Sequence, residues 1–147
     1  MKISDFLNRD NVLVDMRVSG KNPLLQELAR RAEAAIDVPA DVIFAELQKR
    51  EELGSTGVGG GVALPHARLH GITRPFGLVA TLKQPIEFNA IDDQFVDVIF
   101  LLLLPAAPQG EQLSALALVA RKLKTLSVLE QMRSLKSAPD LYAALTT

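Results

Sequence analysis

The most apolar stretch of the chain is Val98-Ile99-Phe100-Leu101-Leu102-Leu103-Leu104, which Pro105 ends. It is far shorter than the roughly 20 apolar residues that a membrane-spanning helix needs. Because side chains on a strand point to alternate faces, an unbroken apolar run is typical of a strand that is buried on both faces. The stretch therefore predicts a strand over residues 95–104, inside a sheet that is covered on both sides.

Helical and strand patterns alternate along the rest of the chain. The predicted helices cover residues 23–36, 39–53, 112–124 and 128–135, with a last one that starts at Ser137. Further strands are predicted over residues 62–64 and 76–82. Because the helices and strands are interleaved, the sequence predicts one α/β domain over residues 1–147, with a mixed or mostly parallel sheet and helices on both faces.

Residues at the predicted helix ends support these boundaries. Asn22 is a candidate N-cap for the first helix, and Pro23 suits its first position. Gly54 is expected to end the second helix. Ser137, with Asp140 three positions later, resembles a capping pair for the last helix.

Composition excludes several classes of function. The chain of 147 residues has no Cys, which excludes disulfides, iron–sulfur clusters, thiolate zinc sites and thiol catalysis. Its 16 Lys and Arg nearly balance its 17 Asp and Glu, so no basic excess indicates nucleic-acid binding. Residues 1–10 carry scattered charges and lack the apolar core of a signal peptide. We therefore expect a cytoplasmic protein that neither inserts into a membrane nor binds nucleic acid.

Five of the nine glycines lie within eight positions, at residues 54, 57, 59, 60 and 61. Glycine allows positive φ and lets backbone N–H groups approach an anion. A phosphate-binding P-loop would need Lys-Ser/Thr where Gly60-Gly61 stand, and the dinucleotide motif would need glycine where Val62 stands. The segment is therefore either a flexible surface loop or an anion cradle of another kind.

His66 and His70 are the two histidines of the chain. His66 directly follows a short apolar run and Pro65, at the kind of sheet end where α/β proteins bind ligands, although an exposed loop histidine would show the same pattern. Residues 53–86 contain no Asp or Glu, which favours an anionic ligand. Ala67 stands where a zinc protease has Glu, and no third ligand is evident, so no metal site is predicted.

The stretch around His66 has a family resemblance. Residues 50–66 contain Arg50-Glu51-x-x-Gly54-Ser55-Thr56-Gly57-Val58-Gly59-x-Gly61-Val62-Ala63-Leu64-Pro65-His66. This block resembles the phosphorylation-site signature of the fructose/mannitol-type enzyme IIA domains of the bacterial phosphotransferase system, and most of all their nitrogen-regulatory branch. The likeness continues through residues 84–92, 103–105 and 137–142. An isolated single-domain chain also fits the nitrogen branch better than a sugar permease.

The resemblance implies a mixed sheet between helices and a histidine that accepts a phosphoryl group. His66 is the implied acceptor, through Nε2, and the donor is a small histidine-phosphorylated carrier protein of the HPr or NPr kind. Arg50 and Thr56 fall on motif positions and are expected to stabilise the phosphoryl oxygens, together with Ser55 and the loop N–H groups of residues 57–61. Without the resemblance, Arg50 is equally well explained as a cation at a helix end. No cofactor is implied.

One position departs from the family pattern. Many members carry a second histidine near the start of the helix that follows the buried strand, and Gln112 stands there. Glutamine donates a hydrogen bond to a phosphoryl oxygen but cannot become cationic. We therefore expect slower transfer, or a simpler pH dependence, than in relatives with two histidines. His70 is expected to be an ordinary loop residue.

Three functions are compatible with the sequence. The first is a phosphocarrier whose phosphorylation state regulates other proteins, which by resemblance would include potassium-transport components or sensor kinases. The second is a binding regulator in which His66 is structural. The third is a sugar-specific IIA component that passes its phosphoryl group to a IIB transport domain.

Overall fold

The computed structural model describes the backbone of residues 1–107 and 111–147, and the side chains of these residues except 111–113. The strands are β1 (Leu7–Met16), β2 (Gly57–Gly59), β3 (Val62–Ala63), β4 (His66–Leu69), β5 (Phe76–Ile86) and β6 (Val96–Pro105). The helices are α1 (Lys21–Ile36), α2 (Ala40–Glu52), α3 (Glu111–Leu123), α4 (Leu126–Ser134) and α5 (Ala138–Thr146), after a short 3₁₀ helix, Ile3–Asp5.

Strand β6, which contains the apolar run, lies in the middle of the sheet. It pairs with β5 in antiparallel orientation on one side. On the other side it pairs with β3 and then with β4, both parallel to it. Strand β1 is parallel to β5 at one edge, and β2 is antiparallel to β3 at the other. The predicted mixed, mostly parallel sheet is confirmed.

The alternating side chains of β6 divide the core into two layers. Ile99, Leu101 and Leu103 pack with the apolar faces of α1 and α2. On the opposite face, Phe100 and Leu102 pack with α3, α4 and α5. All of these β6 side chains are fully buried, which is why neither face of the strand carries a polar residue between Val98 and Leu104. The predicted single α/β domain with helices on both faces is therefore confirmed.

No helix in the ranges 1–107 and 111–147 has both the length and the apolar composition needed to cross a membrane.

The helix ends lie within one residue of their predicted positions except at the starts of α1 and α4, since α4 begins at Leu126 and not at residue 128. Helix α1 begins at Lys21 after Gly20, so the prediction of Asn22 as its N-cap is wrong. Pro23 still lies in the first turn, where a missing N–H breaks no helical hydrogen bond. Gly54 follows the end of α2 with φ of 150°, as expected for a stop. The Ser137 hydroxyl accepts from the Asp140 N–H at 3.4 Å, which confirms that cap.

Three strands were missed. Strand β2 lies in the glycine-rich segment, where no strand was predicted. Strand β1 is an edge strand with the polar residues 8–11 exposed or half-exposed, so its pattern lacks the expected alternation. Strand β4 begins at His66, immediately after Pro65, so residues 66–69 form a strand and not a loop. Strands β3 and β4 pair one after the other with the same side of β6, and Pro65 interrupts this pairing between them. Strand β5 also extends beyond its predicted end, to Ile86.

Candidate functional site

His66 is the first residue of β4 and lies beside β6 in the register of Leu102. The Pro65 carbonyl accepts from the Leu102 N–H at 3.0 Å, which fixes the chain just before the histidine. Ala67 and Leu69, on the same strand, are buried in the layer under α1 and α2. The His66 side chain is half-buried, so its ring is held by the fold and still reaches the surface.

The two nitrogens of the His66 ring have different partners. Nδ1 lies 2.8 Å from the carbonyl oxygen of Leu64, which can only accept a hydrogen bond. Nε2 lies 3.3 Å from Nε of Arg50, which can only donate. These partners select one tautomer of the neutral ring, with the proton on Nδ1 and the lone pair on Nε2.

The pKa of His66 is lowered from its ordinary value. Burial of the ring is the main cause, and the positive charge of Arg50 lowers it further. The Leu64 carbonyl and the negative charge of Glu51 act in the opposite direction without reversing the shift. The imidazole is therefore neutral at pH 7, with a nucleophilic lone pair on Nε2.

Arg50 comes from the last turn of α2 and joins the helix end to the histidine. Its Nη1 donates to the Gly54 carbonyl at 2.8 Å while its Nε donates to His66. The guanidinium therefore places a positive charge at the C-terminal end of α2 and donates a hydrogen bond to the imidazole ring at the same time. Of the predicted phosphoryl-stabilising residues whose side chains the structure describes, Arg50 is the one in contact with His66.

The hydroxyls of Thr56 and Ser55 have other partners. Thr56 is 3% exposed, and both its hydroxyl and its N–H donate to the carboxylate of Glu51, the N–H at 3.1 Å. The Ser55 hydroxyl donates to the Phe88 carbonyl at 2.7 Å and accepts from the Gly57 N–H at 3.0 Å. Both residues therefore hold the turn beside the site, and their direct contact with a phosphoryl group stays a prediction.

Gln112 lies on the first turn of α3, and its side chain falls outside the described part of the chain. Its predicted role therefore stays a prediction. His70 follows the end of β4 and is exposed, in agreement with the expectation of an ordinary loop residue.

The glycine-rich segment forms a hairpin in which Gly57–Gly59 pairs with β3. Gly59, Gly60 and Gly61 all have positive φ, as the tight turn requires. The Gly61 carbonyl accepts from Val98 near the start of β6, whereas His66 lies opposite Leu102. Four residues of strand put the hairpin tip roughly 13 Å from the histidine. The N–H of Gly60 also donates to Asp92, so the tip is not the anion cradle of this site.

A cleft of about 410 Å³ opens beside His66, between α2, α3, β4 and the end of β6. Lys49, Arg50 and Arg68 line it, with Glu46 as the acidic residue of the lining. Apolar surface comes from Leu53, which is 86% exposed, and from Leu104 and Leu116. An excess of positive charge around a neutral nucleophile suits an anionic group that arrives on another molecule.

Lys21 and Glu51 form a contact of the site that the sequence did not predict. Lys21 Nζ lies 3.0 Å from Oε1 of Glu51, with side chains 18% and 6% exposed. Glu51 belongs to the block quoted above, but Lys21 lies 30 positions earlier and no local pattern marks it. Among the described residues, no group of three His, Cys, Asp or Glu side chains is placed to hold a metal ion.

Comparisons with known proteins cover nearly the whole chain. A family model described as "Phosphoenolpyruvate-dependent sugar phosphotransferase system, EIIA 2" matches residues 5–147. A nitrogen regulatory protein of Bradyrhizobium diazoefficiens is 38% identical over 145 residues, which are 99% of this chain and 95% of that protein. A nitrogen regulatory protein of Escherichia coli K12 is 35% identical, with 99% and 90% covered.

A solved structure agrees with these relatives. The crystal structure of nitrogen regulatory protein IIA-Ntr from Neisseria meningitidis matches with a TM-score of 0.93 at 35% identity. The match covers 98% of this chain and 99% of that one. The resemblance inferred from residues 50–66 is confirmed.

Proposed function

Because the chain belongs to the EIIA type 2 family of the phosphoenolpyruvate-dependent sugar phosphotransferase system, we propose that it is a phosphocarrier whose acceptor atom is Nε2 of His66. Members of this family are phosphoryl-transfer components. The observation that carries the proposal is the pair of contacts on the imidazole, with Leu64 at Nδ1 and Arg50 at Nε2. They leave the lone pair on the nitrogen that faces a cation.

The proposed transfer needs no prior proton movement on His66. The Nε2 lone pair attacks the phosphorus of a phosphohistidine on the donor; the new N–P bond forms as the donor's N–P bond breaks, and the donor imidazole leaves with that electron pair. The proton on Nδ1 stays on its hydrogen bond to the Leu64 carbonyl throughout. That bond stabilises the positive charge which develops on the ring.

Arg50 changes partner in this proposal. In the unphosphorylated chain its Nε–H occupies the Nε2 lone pair. When phosphorus takes that position, the guanidinium moves onto a phosphoryl oxygen, where a charge-assisted hydrogen bond is stronger. The positive charges of Lys49 and Arg68 in the same cleft offset the remaining phosphoryl charge.

The proposed donor is a small histidine-phosphorylated carrier protein of the HPr or NPr kind, in the cytoplasm. The relatives named nitrogen regulatory protein support a regulatory role over a sugar-specific one. In this role the phosphorylation state of His66 decides which partners bind, and potassium-transport components and sensor kinases are the partners that the resemblance suggests. A cognate IIB domain is the competing acceptor, and sugar-dependent loss of the phosphoryl group would favour it.

The experiment is phosphorylation with phosphoenolpyruvate, enzyme I and the small carrier, followed by mass spectrometry. We expect one added phosphate that is labile in acid, stable in base and absent from His66→Ala. His70→Ala is the matched control and should be phosphorylated normally. A chain that gains no phosphate under these conditions would contradict both the regulatory and the sugar-specific function.

A further inference from the structure

We infer that Lys21 is a positioning residue for the transfer at His66, acting through Glu51 and the turn that Glu51 holds. This inference rests on the proposed function. Lys21 is the first residue of α1 and touches neither His66 nor the cleft beside it. Its ammonium is nevertheless linked to the imidazole by a short series of buried contacts.

The first contact is the ion pair between Lys21 and Glu51. Nζ lies 3.0 Å from Glu51 Oε1 and 3.4 Å from the Phe88 carbonyl oxygen, and 4.6 Å from the centre of the Phe88 ring. The Glu51 carboxylate is almost completely buried, with 6% of its side chain exposed. A carboxylate in such a place requires a cation and several hydrogen bonds to stay ionised without a large cost.

The second contact joins Glu51 to Leu64, two residues before the histidine. The carboxylate accepts from the N–H and the hydroxyl of Thr56, and the Thr56 carbonyl accepts from the Leu64 N–H at 2.9 Å. The carbonyl of the same Leu64 is the partner of Nδ1 of His66. Glu51 therefore holds the backbone that selects the reactive tautomer, and Lys21 holds Glu51.

Charge gives the pair a second effect on the ring. The negative charge of Glu51 raises the pKa of His66, whereas the positive charge of its neighbour on α2, Arg50, lowers that pKa. Because Lys21 offsets the Glu51 charge, it should limit how far Glu51 raises the pKa of His66. The other charged groups that line the cleft with His66 are Lys49 and Glu46 on α2 and Arg68 on β4, and none of them touches Glu51 in a described contact.

The test compares Lys21→Met with Lys21→Arg and with the double variant Lys21→Met/Glu51→Gln. Two readouts are used: an NMR titration of His66, and the pH profile of phosphorylation by the small carrier. For Lys21→Met we expect the midpoint of the His66 titration to rise by about half a pH unit or more, and the acid limb of the pH profile to shift to higher pH by the same amount. At a pH below the pKa, such a shift lowers the neutral fraction of His66 about threefold. Lys21→Arg keeps the positive charge, and the double variant removes the positive and the negative charge together. In each of these two variants, the His66 titration and the pH profile should therefore lie close to those of the wild type.

Lys136→Met is the matched control. Lys136 Nζ lies 3.3 Å from Oδ1 of Asp15 in an exposed ion pair that is not part of the site. This variant should leave both readouts unchanged. If Lys21→Met is folded and its His66 titration and pH profile equal those of the wild type, the inference is wrong. A change in melting temperature alone, with both profiles unmoved, would also contradict it, because that result describes a purely structural residue.

Glu51→Gln decides the question if Lys21→Met does not fold. It keeps an oxygen for Thr56 and leaves the Lys21 charge uncompensated, so the His66 titration should move to lower pH. An unmoved titration overturns the inference. Failure of the proposed function looks different, because then the wild-type chain gains no phosphate while the NMR titrations still report on the coupling between Lys21 and His66.

Discussion

Nε of Arg50 donates to Nε2 of His66 across 3.3 Å, so the ring nitrogen that faces the cleft carries the lone pair. The same guanidinium is tied by Nη1 to the Gly54 carbonyl at the end of α2. A helix end, a turn and a strand therefore meet at one side chain.

Replacing Arg50 by Lys should slow the transfer. Lysine has one ammonium and cannot donate to Gly54 and to the acceptor site in the same planar arrangement. We expect the phosphorylation rate to fall about 100-fold, as when one preorganised donor is removed from an active site. Arg30→Lys is the control, since Arg30 pairs with Glu27 on the exposed face of α1. Equal rates for Arg50→Lys and the wild type would contradict a role for the guanidinium.

The phosphorylation rate should fall on acidification but only below the ordinary histidine range. The lowered pKa means that His66 keeps its lone pair down to a lower pH than a free histidine does. An NMR titration in the His70→Ala background gives a single histidine signal, and its midpoint should lie below about 6.5. A midpoint above that value would contradict the prediction, because it would mean that a nearby negative charge raises the pKa of His66 more than burial and Arg50 lower it.

The same shift links stability to pH. Between the lowered pKa of folded His66 and the ordinary value, the unfolded chain binds more protons, so the free energy of unfolding decreases as the pH falls through this window. His66→Ala should remove that part of the dependence. Urea denaturation of both proteins at pH 7 and pH 5.5 measures the difference, and identical pH slopes would refute the link.

Thr56→Val should destabilise the fold. Valine keeps the shape but removes the hydroxyl that donates to Glu51, leaving a buried carboxylate with one donor fewer. We expect a loss of about 1–3 kcal/mol in the free energy of unfolding, measured by urea denaturation. Thr56→Ser keeps the hydroxyl and should lose much less. A Thr56→Val protein as stable as the wild type would mean that the Glu51 contact contributes nothing.

Gln112 is predicted to donate a hydrogen bond to the phosphoryl group in place of the second histidine of many relatives. Gln112→Ala should therefore lower the transfer rate several-fold, by about the value of one hydrogen bond. Gln112→His should add a second ionisation to the pH–rate profile, because histidine becomes cationic where glutamine does not. An unchanged rate in Gln112→Ala would end any role for this side chain.

The sequence predicted those parts of the fold whose signals are local. The apolar run of residues 98–104 indicated a strand buried on both faces, and Ser137 and Gly54 marked helix ends, because each depends on neighbours along the chain. Strand β1 escaped prediction because residues 8–11 are polar on an exposed edge. Strand β4 escaped because Pro65 and His66 resemble a loop until β6 is present to pair with them.

The candidate site likewise has residues that a local motif predicts and contacts that only the folded chain forms. His66 and Arg50 were predicted from the motif, but the tautomer depends on the Leu64 carbonyl and on the end of α2, which only the folded chain brings together. The glycine-rich segment suggested a phosphate cradle by composition, yet its tip lies beside the start of β6. Lys21 could not be found from the sequence, because its partner Glu51 is brought to it by the packing of α1 against α2.

The acceptor atom is identified most directly by nitrogen-15 NMR of the phosphorylated protein with labelled histidine. The two ring nitrogens give separate signals, so the spectrum identifies the atom that is bonded to phosphorus. We expect phosphorus on Nε2 of His66, with Nδ1 still protonated and hydrogen-bonded. Phosphorus on Nδ1, on His70, or on no histidine would contradict it.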